Sequence, residues 1–372
     1  MGFVQLTEAY PWDAVVPYRE RAREHPDGLV DLSIGTPVDP TPAVVREALA
    51  AAADAPGYPT AHGTPALREA VAAWFAARRG VPNLDPDGVL PTVGSKELVA
   101  TLPSLLGLGA EDIVVVPSVA YPTYAVGARL AGAQVLVADD AEAWAGNPAV
   151  RLVWVNSPSN PTGAVLPAEH LRQVVTAARE LGAVVASDEC YAELPWTQPW
   201  VGSGVPCLLQ RDVSGGDHTG LLVVYSLSKQ SNLAGYRAAF AAGDARLVDA
   251  VLQLRRHMGM MVPAPVQAAT IAALGDPSHV QAQRERYLRR REALLTALTG
   301  AGYVVDHSEA GLYLWVRQEG AGDCWSMLGD FADRGILAGP GVFYGAASGE
   351  HLRVALTAPD AQIEQAVSRL SL

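Results

Sequence analysis

Of the 27 Lys and Arg residues in the chain, only Lys96 and Lys229 are lysines, and the other 25 are arginines. Arginine stays protonated and forms no imine, so chemistry that needs a primary-amine side chain falls to these two. Lys229 lies in YSLSKQSNLAGYRAAF, 225–240, directly after the apolar run LLVVY, with Ser226 and Ser228 before it and Arg237 after it. This places it at the carboxyl end of an expected strand, where open α/β sheets bind ligands. Taken alone, it reads equally well as a solvated loop lysine.

Three more segments carry polar groups at comparable positions. VNSPSNPTG, 155–163, follows the run RLVWV and brings Asn160 among turn-forming residues, a pattern that also suits an ordinary loop. ASDECYAEL, 186–194, delivers Asp188 to the end of AVVAS, with Tyr191 three residues on. That carboxylate is either a helix cap or an anion that keeps a pyridine nitrogen protonated. TVGSKELVATLPSLL, 92–106, reads as a strand end, a Gly-Ser turn and a helix with Leu98, Leu102 and Leu105 on one face. The free N–H groups of Gly94, Ser95 and Lys96 at such a helix start suit a phosphate dianion, and a simple capped helix is the alternative.

The elements that must position these residues alternate between two periodicities. Strands are expected at 112–116, 151–155, 183–187 and 221–225, separated by helical patterns such as 167–181, where Leu171, Val174, Val175 and Ala178 share one face and Pro167 suits the first turn. This predicts an α/β sheet with helices on both faces. After a long helical stretch at 278–300 come strands at 302–306 and 312–317, a helix at 323–334, a strand at 352–356 and a last helix. The first 40 residues, rich in Pro, Tyr and Trp, read as an arm packed across something else. The expected division is 1–42 as arm and part of a small domain, 43–270 as a large domain and 271–372 as a small C-terminal domain.

Composition narrows the classes. A net charge of −12 and a pI near 5.1 argue against a nucleic-acid footprint, which needs clustered cations. No run of 18 apolar residues and no basic, apolar leader occurs, so the expectation is a cytoplasmic chain without a membrane span. Cys190, Cys207 and Cys324, odd in number and widely spaced, read as reduced thiols rather than a disulfide framework or metal site.

With these motifs in this order, the whole chain resembles the fold-type I, aspartate aminotransferase-like enzymes that use pyridoxal 5′-phosphate (PLP). The resemblance implies a mostly parallel seven-stranded sheet between helices in the large domain and a smaller α/β C-terminal domain. It implies that Lys229 forms the imine with the cofactor and serves as general acid and base, that Asp188 pairs with the pyridine nitrogen, and that Asn160 and Tyr191 hydrogen-bond the ring oxygen. Ser95, Ser226 and Arg237 would hold the phosphate, helped by the N–H groups of Gly94 and Lys96, and Tyr121 in PSVAYPTY would stack on the ring. Arg353 in EHLRVALT matches the arginine that grips a substrate α-carboxylate, Gly35 in DLSIGTP the glycine whose backbone approaches it, and Asn160 would contact the substrate as well. Tyr58 in GYPTAHGTPALREAV matches a tyrosine that reaches the neighbouring subunit's cofactor, implying a homodimer with shared sites and amino-acid and 2-oxo-acid substrates.

The opening segment 6–42 and LRRHMGMMVPAPVQAA, 254–269, are similar to actinobacterial N-succinyldiaminopimelate aminotransferases. An acidic acceptor calls for cations near the pocket, and Arg255 and Arg256 are the nearest candidates by sequence. Other aminotransferases, for aspartate, methionine or aromatic amino acids, and PLP-dependent C–S lyases share the same cofactor motifs. A ligand-sensing transcription regulator is disfavoured because no helix-turn-helix module is expected ahead of Gly35. A nicotinamide enzyme, a zinc protease and an α/β-hydrolase are disfavoured because GxGxxG, HExxH and GxSxG do not occur at the required places.

Overall fold

The computed structural model describes residues 11–320 and 322–371. Its central feature is a seven-stranded sheet built from β2 (Val89–Val93), β3 (Ile113–Val116), β4 (Gln134–Val137), β5 (Val150–Asn156), β6 (Val184–Asp188), β7 (Leu221–Ser226) and β8 (Ala238–Gly243), in the order β2-β8-β7-β6-β5-β3-β4. All neighbours are parallel except β8, which runs antiparallel to both β2 and β7.

Strand alternation splits the buried residues between two faces. Val153, Val155, Val185, Val223 and Tyr225 pack on one side with Leu171, Val174, Val175 and Ala178 of the helix Ala168–Leu181. Leu152, Trp154, Ala186, Leu222 and Val224 pack on the other with Leu98, Val99, Leu102 and Leu105 of the helix Ser95–Leu105. The helices expected on both faces are therefore present, and the expected strands fall within a residue or two of their predicted bounds. Pro167 stands just before its helix rather than in the first turn.

A second core belongs to an antiparallel sheet of β9 (Val304–His307), β10 (Tyr313–Arg317), β12 (Gly339–Pro340) and β13 (Leu352–Ala355), ordered β12-β13-β10-β9. The short β1 (Val30–Asp31) pairs in parallel with β11 (Ile336–Leu337). Val15, Val30 and Leu32 of the N-terminal segment are buried in this core. The helix Val16–Arg23 packs on the helix Cys324–Asp333, with Tyr18 stacked on Trp325 at 5.7 Å. The part of the expected arm at 1–10 lies outside the described residues. The three cysteines are free and buried, and no described helix is long and apolar enough to cross a membrane.

Candidate active site

The sheet topology explains how distant motifs meet. Register pairs Asn156 with Asp188 and Asp188 with Val224, so β5, β6 and β7 end at one edge. β2 ends there too, because Val93 pairs with Ala238, the first residue of the antiparallel β8. Arg237, one residue earlier, is therefore carried to the same edge as Gly94, Asp188 and Ser226.

Around Gly94 the geometry forms a cradle. Gly94 has φ +76° and its N–H donates to the Arg237 carbonyl at 2.9 Å. A Cβ at Gly94 would collide with the Arg237 guanidinium, so only glycine lets that cation lie across the helix start. Arg237 has no carboxylate partner among the described residues and donates only to the Ala234 carbonyl. Ser226 caps the short helix Leu227–Gln230, accepting from the Ser228 N–H at 3.1 Å and donating to the Ser228 hydroxyl at 2.7 Å. Ser95 Oγ takes a hydrogen bond from Cys190 Sγ at 3.7 Å. The Gly94 N–H, expected to be free, is taken by the Arg237 carbonyl, which leaves the helix N–H groups of Ser95 and Lys96, the hydroxyls and an Arg237 guanidinium without a carboxylate as a donor set that suits a phosphate dianion.

Asp188 is the last residue of β6 and is 8% exposed. Burial pushes its carboxyl up, opposed by hydrogen bonds from Cys190 and from the Tyr124 hydroxyl at 3.0 Å. Tyr124 is buried and stacks on Trp154 at 4.9 Å. No motif in the sequence marks Tyr124, although its three-residue spacing from Tyr121 at the start of the helix Thr123–Leu130 is a usable signal. Tyr121 meets Tyr124 edge-on at 5.9 Å, and Lys96 Nζ lies over the Tyr121 ring at 5.6 Å.

Lys229 Nζ donates to the Gly35 carbonyl at 2.6 Å, bringing the N-terminal segment against the strand-end cluster. A Cβ at Gly35 would overlap the ring and hydroxyl of Tyr313, so this glycine makes room for Tyr313. Asn160 is fixed through its N–H to Asn156 Oδ1 at 2.8 Å, and its own Oδ1 accepts from Arg353 Nη1 at 3.0 Å. Arg353 Nη2 donates to the Ser33 carbonyl at 2.7 Å. Its guanidinium lies over the rings of Tyr313 at 4.2 Å and Tyr344 at 4.9 Å. It is 5% exposed, its Nε has no partner, and it pairs with no carboxylate among the described residues. Tyr191 is buried, its hydroxyl 3.3 Å from that of Tyr313. Tyr313 opens the strand YLWVR, apolar up to its final arginine, where nothing in the sequence marks it.

Three residues stand apart from this cluster. Tyr58 is 97% exposed and makes no hydrogen bond or ring contact among the described residues. Arg255 is completely buried and ion-paired with Glu97, whose Oε1 also accepts the Val93 N–H, so it braces the turn before the helix Ser95–Leu105 instead of facing an acceptor. Arg256 turns back to Gln253 on its own helix.

Comparison with known proteins agrees with this geometry. The family model for aminotransferases of class I and II matches residues 27–370. The chain is 53% identical to 4-dedimethylamino-4-oxo-anhydrotetracycline transaminase of Streptomyces rimosus, over 97% of this chain and 98% of that protein. It is 55% identical to a probable aminotransferase of Mycobacterium tuberculosis, over 97% of this chain and 85% of the other. A probable N-succinyldiaminopimelate aminotransferase from Thermus thermophilus superposes with a TM-score of 0.85 at 28% identity, over 97% of this chain and 99% of that one. The lysine at a strand end, the buried aspartate, the phosphate-suited cradle and the family match lead to one conclusion: this chain belongs to the class I and II aminotransferases, fold-type I enzymes whose cofactor is pyridoxal 5′-phosphate.

Proposed function

We propose that the chain transfers an amino group between N-succinyl-LL-2,6-diaminopimelate and 2-oxoglutarate, giving N-succinyl-2-amino-6-oxopimelate and glutamate in the cytoplasm. The observation that carries the carboxylate part of this reading is Arg353. A buried guanidinium without a carboxylate is costly, and its edge, where Nε has no partner, can donate two parallel hydrogen bonds to a planar carboxylate. The acidic acceptor is supported by Lys96, whose ammonium lies over Tyr121 and pairs with no carboxylate among the described residues.

In this reading the phosphate is held by the hydroxyls of Ser95 and Ser226, the Arg237 guanidinium and the N–H groups of Ser95 and Lys96, with Tyr58 added from a second copy in a homodimer. When bound, PLP supplies an electron sink for charge left at the amino acid's Cα. Asp188, anchored by Tyr124, holds a compensating negative charge at the pyridine nitrogen. Asn160 and Tyr191 hydrogen-bond the ring oxygen, Tyr121 covers the ring, and Gly35 and Arg353 orient the substrate so that its α-proton faces Lys229. Lys229 Nζ takes up and returns that proton.

A second reading is supported by the Streptomyces rimosus relative: the acceptor is a polycyclic ketone such as the one in that protein's name. Ile34 and Val38, 48% and 52% exposed, offer apolar surface beside Gly35. Aspartate, methionine or aromatic transamination and C–S lysis on the same residues remain as alternatives to be assayed. The test mixes PLP-loaded protein with N-succinyl-LL-2,6-diaminopimelate, glutamate, aspartate, methionine and cystathionine in turn and follows the visible band. In the amine-loaded form it is then offered the anhydrotetracycline ketone. Bleaching by the succinylated compound and glutamate, weak with the others, is expected. Selective turnover of the tetracyclic ketone moves the assignment to the second reading, and release of ammonia and a thiol moves it to a lyase.

A further inference from the structure

Tyr313 stands where the proposed substrate and cofactor subsites meet, and no motif assigned it a part. It is 3% exposed on β10, and the register pairs Tyr313 with Ala355 and Trp315 with Arg353, so Tyr313 and Arg353 are diagonal neighbours on one sheet face. Its ring lies under the Arg353 guanidinium at 4.2 Å and fills the space a Cβ would need at Gly35, the residue whose carbonyl accepts from Lys229 Nζ. Its hydroxyl is 3.3 Å from that of Tyr191.

We infer that Tyr313 is a positioning residue with two separable jobs: its ring holds Arg353 flat for the substrate carboxylate, and its hydroxyl competes for the Tyr191 proton. This rests on the proposed reading of Arg353 and Tyr191. The groups facing Tyr313 are Lys229 from the helix Leu227–Gln230, Arg353 from β13 and Tyr191 from the segment after β6, with Tyr344 across Arg353 and Cys190 and Asp188 behind Tyr191. Burial alone would raise the Tyr313 hydroxyl, yet the nearby Arg353 and Lys229 bring it below the usual tyrosine range, while burial and the facing Tyr313 drive Tyr191 well above it. The two cations beside the Tyr313 oxygen favour Tyr191 as the donor and Tyr313 as the acceptor across their 3.3 Å contact. An oxygen that draws this proton weakens the hydrogen bond from Tyr191 to the cofactor's ring oxygen and leaves that oxygen more basic.

The experiment uses PLP-loaded parent protein, Tyr313→Phe and Tyr313→Leu. Two quantities are read: the pH midpoint of the visible band, and the Kd for 2-methylglutamate, an amino acid without an α-proton. Tyr313→Phe keeps the ring, so its Kd stays within about twofold of the parent. Its band midpoint falls by about half a pH unit, roughly threefold in proton affinity. Tyr313→Leu loses the ring, and its Kd rises about tenfold, within the range of a desolvated cation–π contact. A Tyr313→Phe midpoint that is unchanged or higher overturns the hydroxyl's role, and equal Kd values for the two variants overturn the ring's. A parent that never takes up PLP overturns the site reading and this inference with it. A parent that takes up PLP but gives no 2-methylglutamate complex argues against glutamate as donor, and the midpoint then decides for or against Tyr313.

Discussion

The seven-stranded and four-stranded sheets supply the proposed site in different ways. The larger sheet offers one edge, where Gly94, Asp188, Ser226 and Arg237 stand at or next to the ends of separate strands, with Asn160 and Lys229 a few residues past β5 and β7. Asp188 and Ser226 are the last rungs of their ladders and the other positions lie just beyond theirs, so helix-start N–H groups and short polar side chains gather past the sheet's last hydrogen bonds. The smaller sheet offers a face. Arg353 and Tyr313 lie within β13 and β10, held by the ladder between those two strands, and their side chains project from the sheet. The difference teaches that an edge suits holding a cofactor by many short contacts, whereas a face suits aiming a few long side chains at a substrate that comes and goes.

Variants on the two sides should separate along that line. The largest effect is expected at the edge: Lys229→Ala removes the visible PLP band and lowers turnover by at least about a thousandfold, because the proposed anchor and proton carrier vanish together. Turnover above a few per cent of the parent would break the edge half of the comparison. On the face, Arg353→Lys keeps the charge but loses the planar fork, and KM for the amino donor should rise about 10- to 100-fold with the PLP band intact. If steady-state kinetics instead show a lower affinity for PLP with KM unchanged, the face is holding cofactor and the distinction fails.

A smaller effect sharpens the edge. Gly94→Ala forces a side chain into a left-handed backbone and against the Arg237 guanidinium, so equilibrium dialysis should find PLP bound about tenfold more weakly, with near-parent turnover once saturated. Smallest for activity is Arg255→Gln. It uncouples the buried guanidinium from Glu97 and should lower unfolding stability by about 3 kcal/mol, the low end for breaking a buried pair because Glu97 keeps 17% of its side chain exposed. KM for acidic acceptors should stay within about twofold, and a large rise would restore Arg255 to the pocket.

Legibility in the sequence followed the same division. Lys229, Asp188, Asn160 and Gly94 announced themselves because each interrupts an apolar run with polar or turn-forming residues. β8 gave no such signal: AAFAAG has little intrinsic strand preference, and it forms a strand because β2 and β7 flank it closely on both sides. Tyr313, in the run LYLWV, is indistinguishable by pattern from its core neighbours. Arg255 misled for the converse reason, since a charged residue on a helix looks solvent-facing until the helix Ser95–Leu105 is packed over it with Glu97 in place.

The sequence by itself narrowed the kind of chemistry, because only two side chains carry a primary amine and one of them stands at an expected strand end among hydroxyls and an arginine, and the resemblance of these motifs to a known family implied the rest. It also determined the layered α/β architecture, because period-two and helical patterns alternate along the chain and each pattern buries its apolar side in only one way. The tertiary structure alone decided which polar groups meet. Asp188 with Tyr124, Arg353 with Asn160 and the Ser33 carbonyl, and Tyr191 with Tyr313 are brought together by sheet register and chain crossing. Contacts separated by 64, 193, 320 and 122 residues leave no periodic trace in the sequence, since each partner satisfies its own local pattern whether or not the other is there.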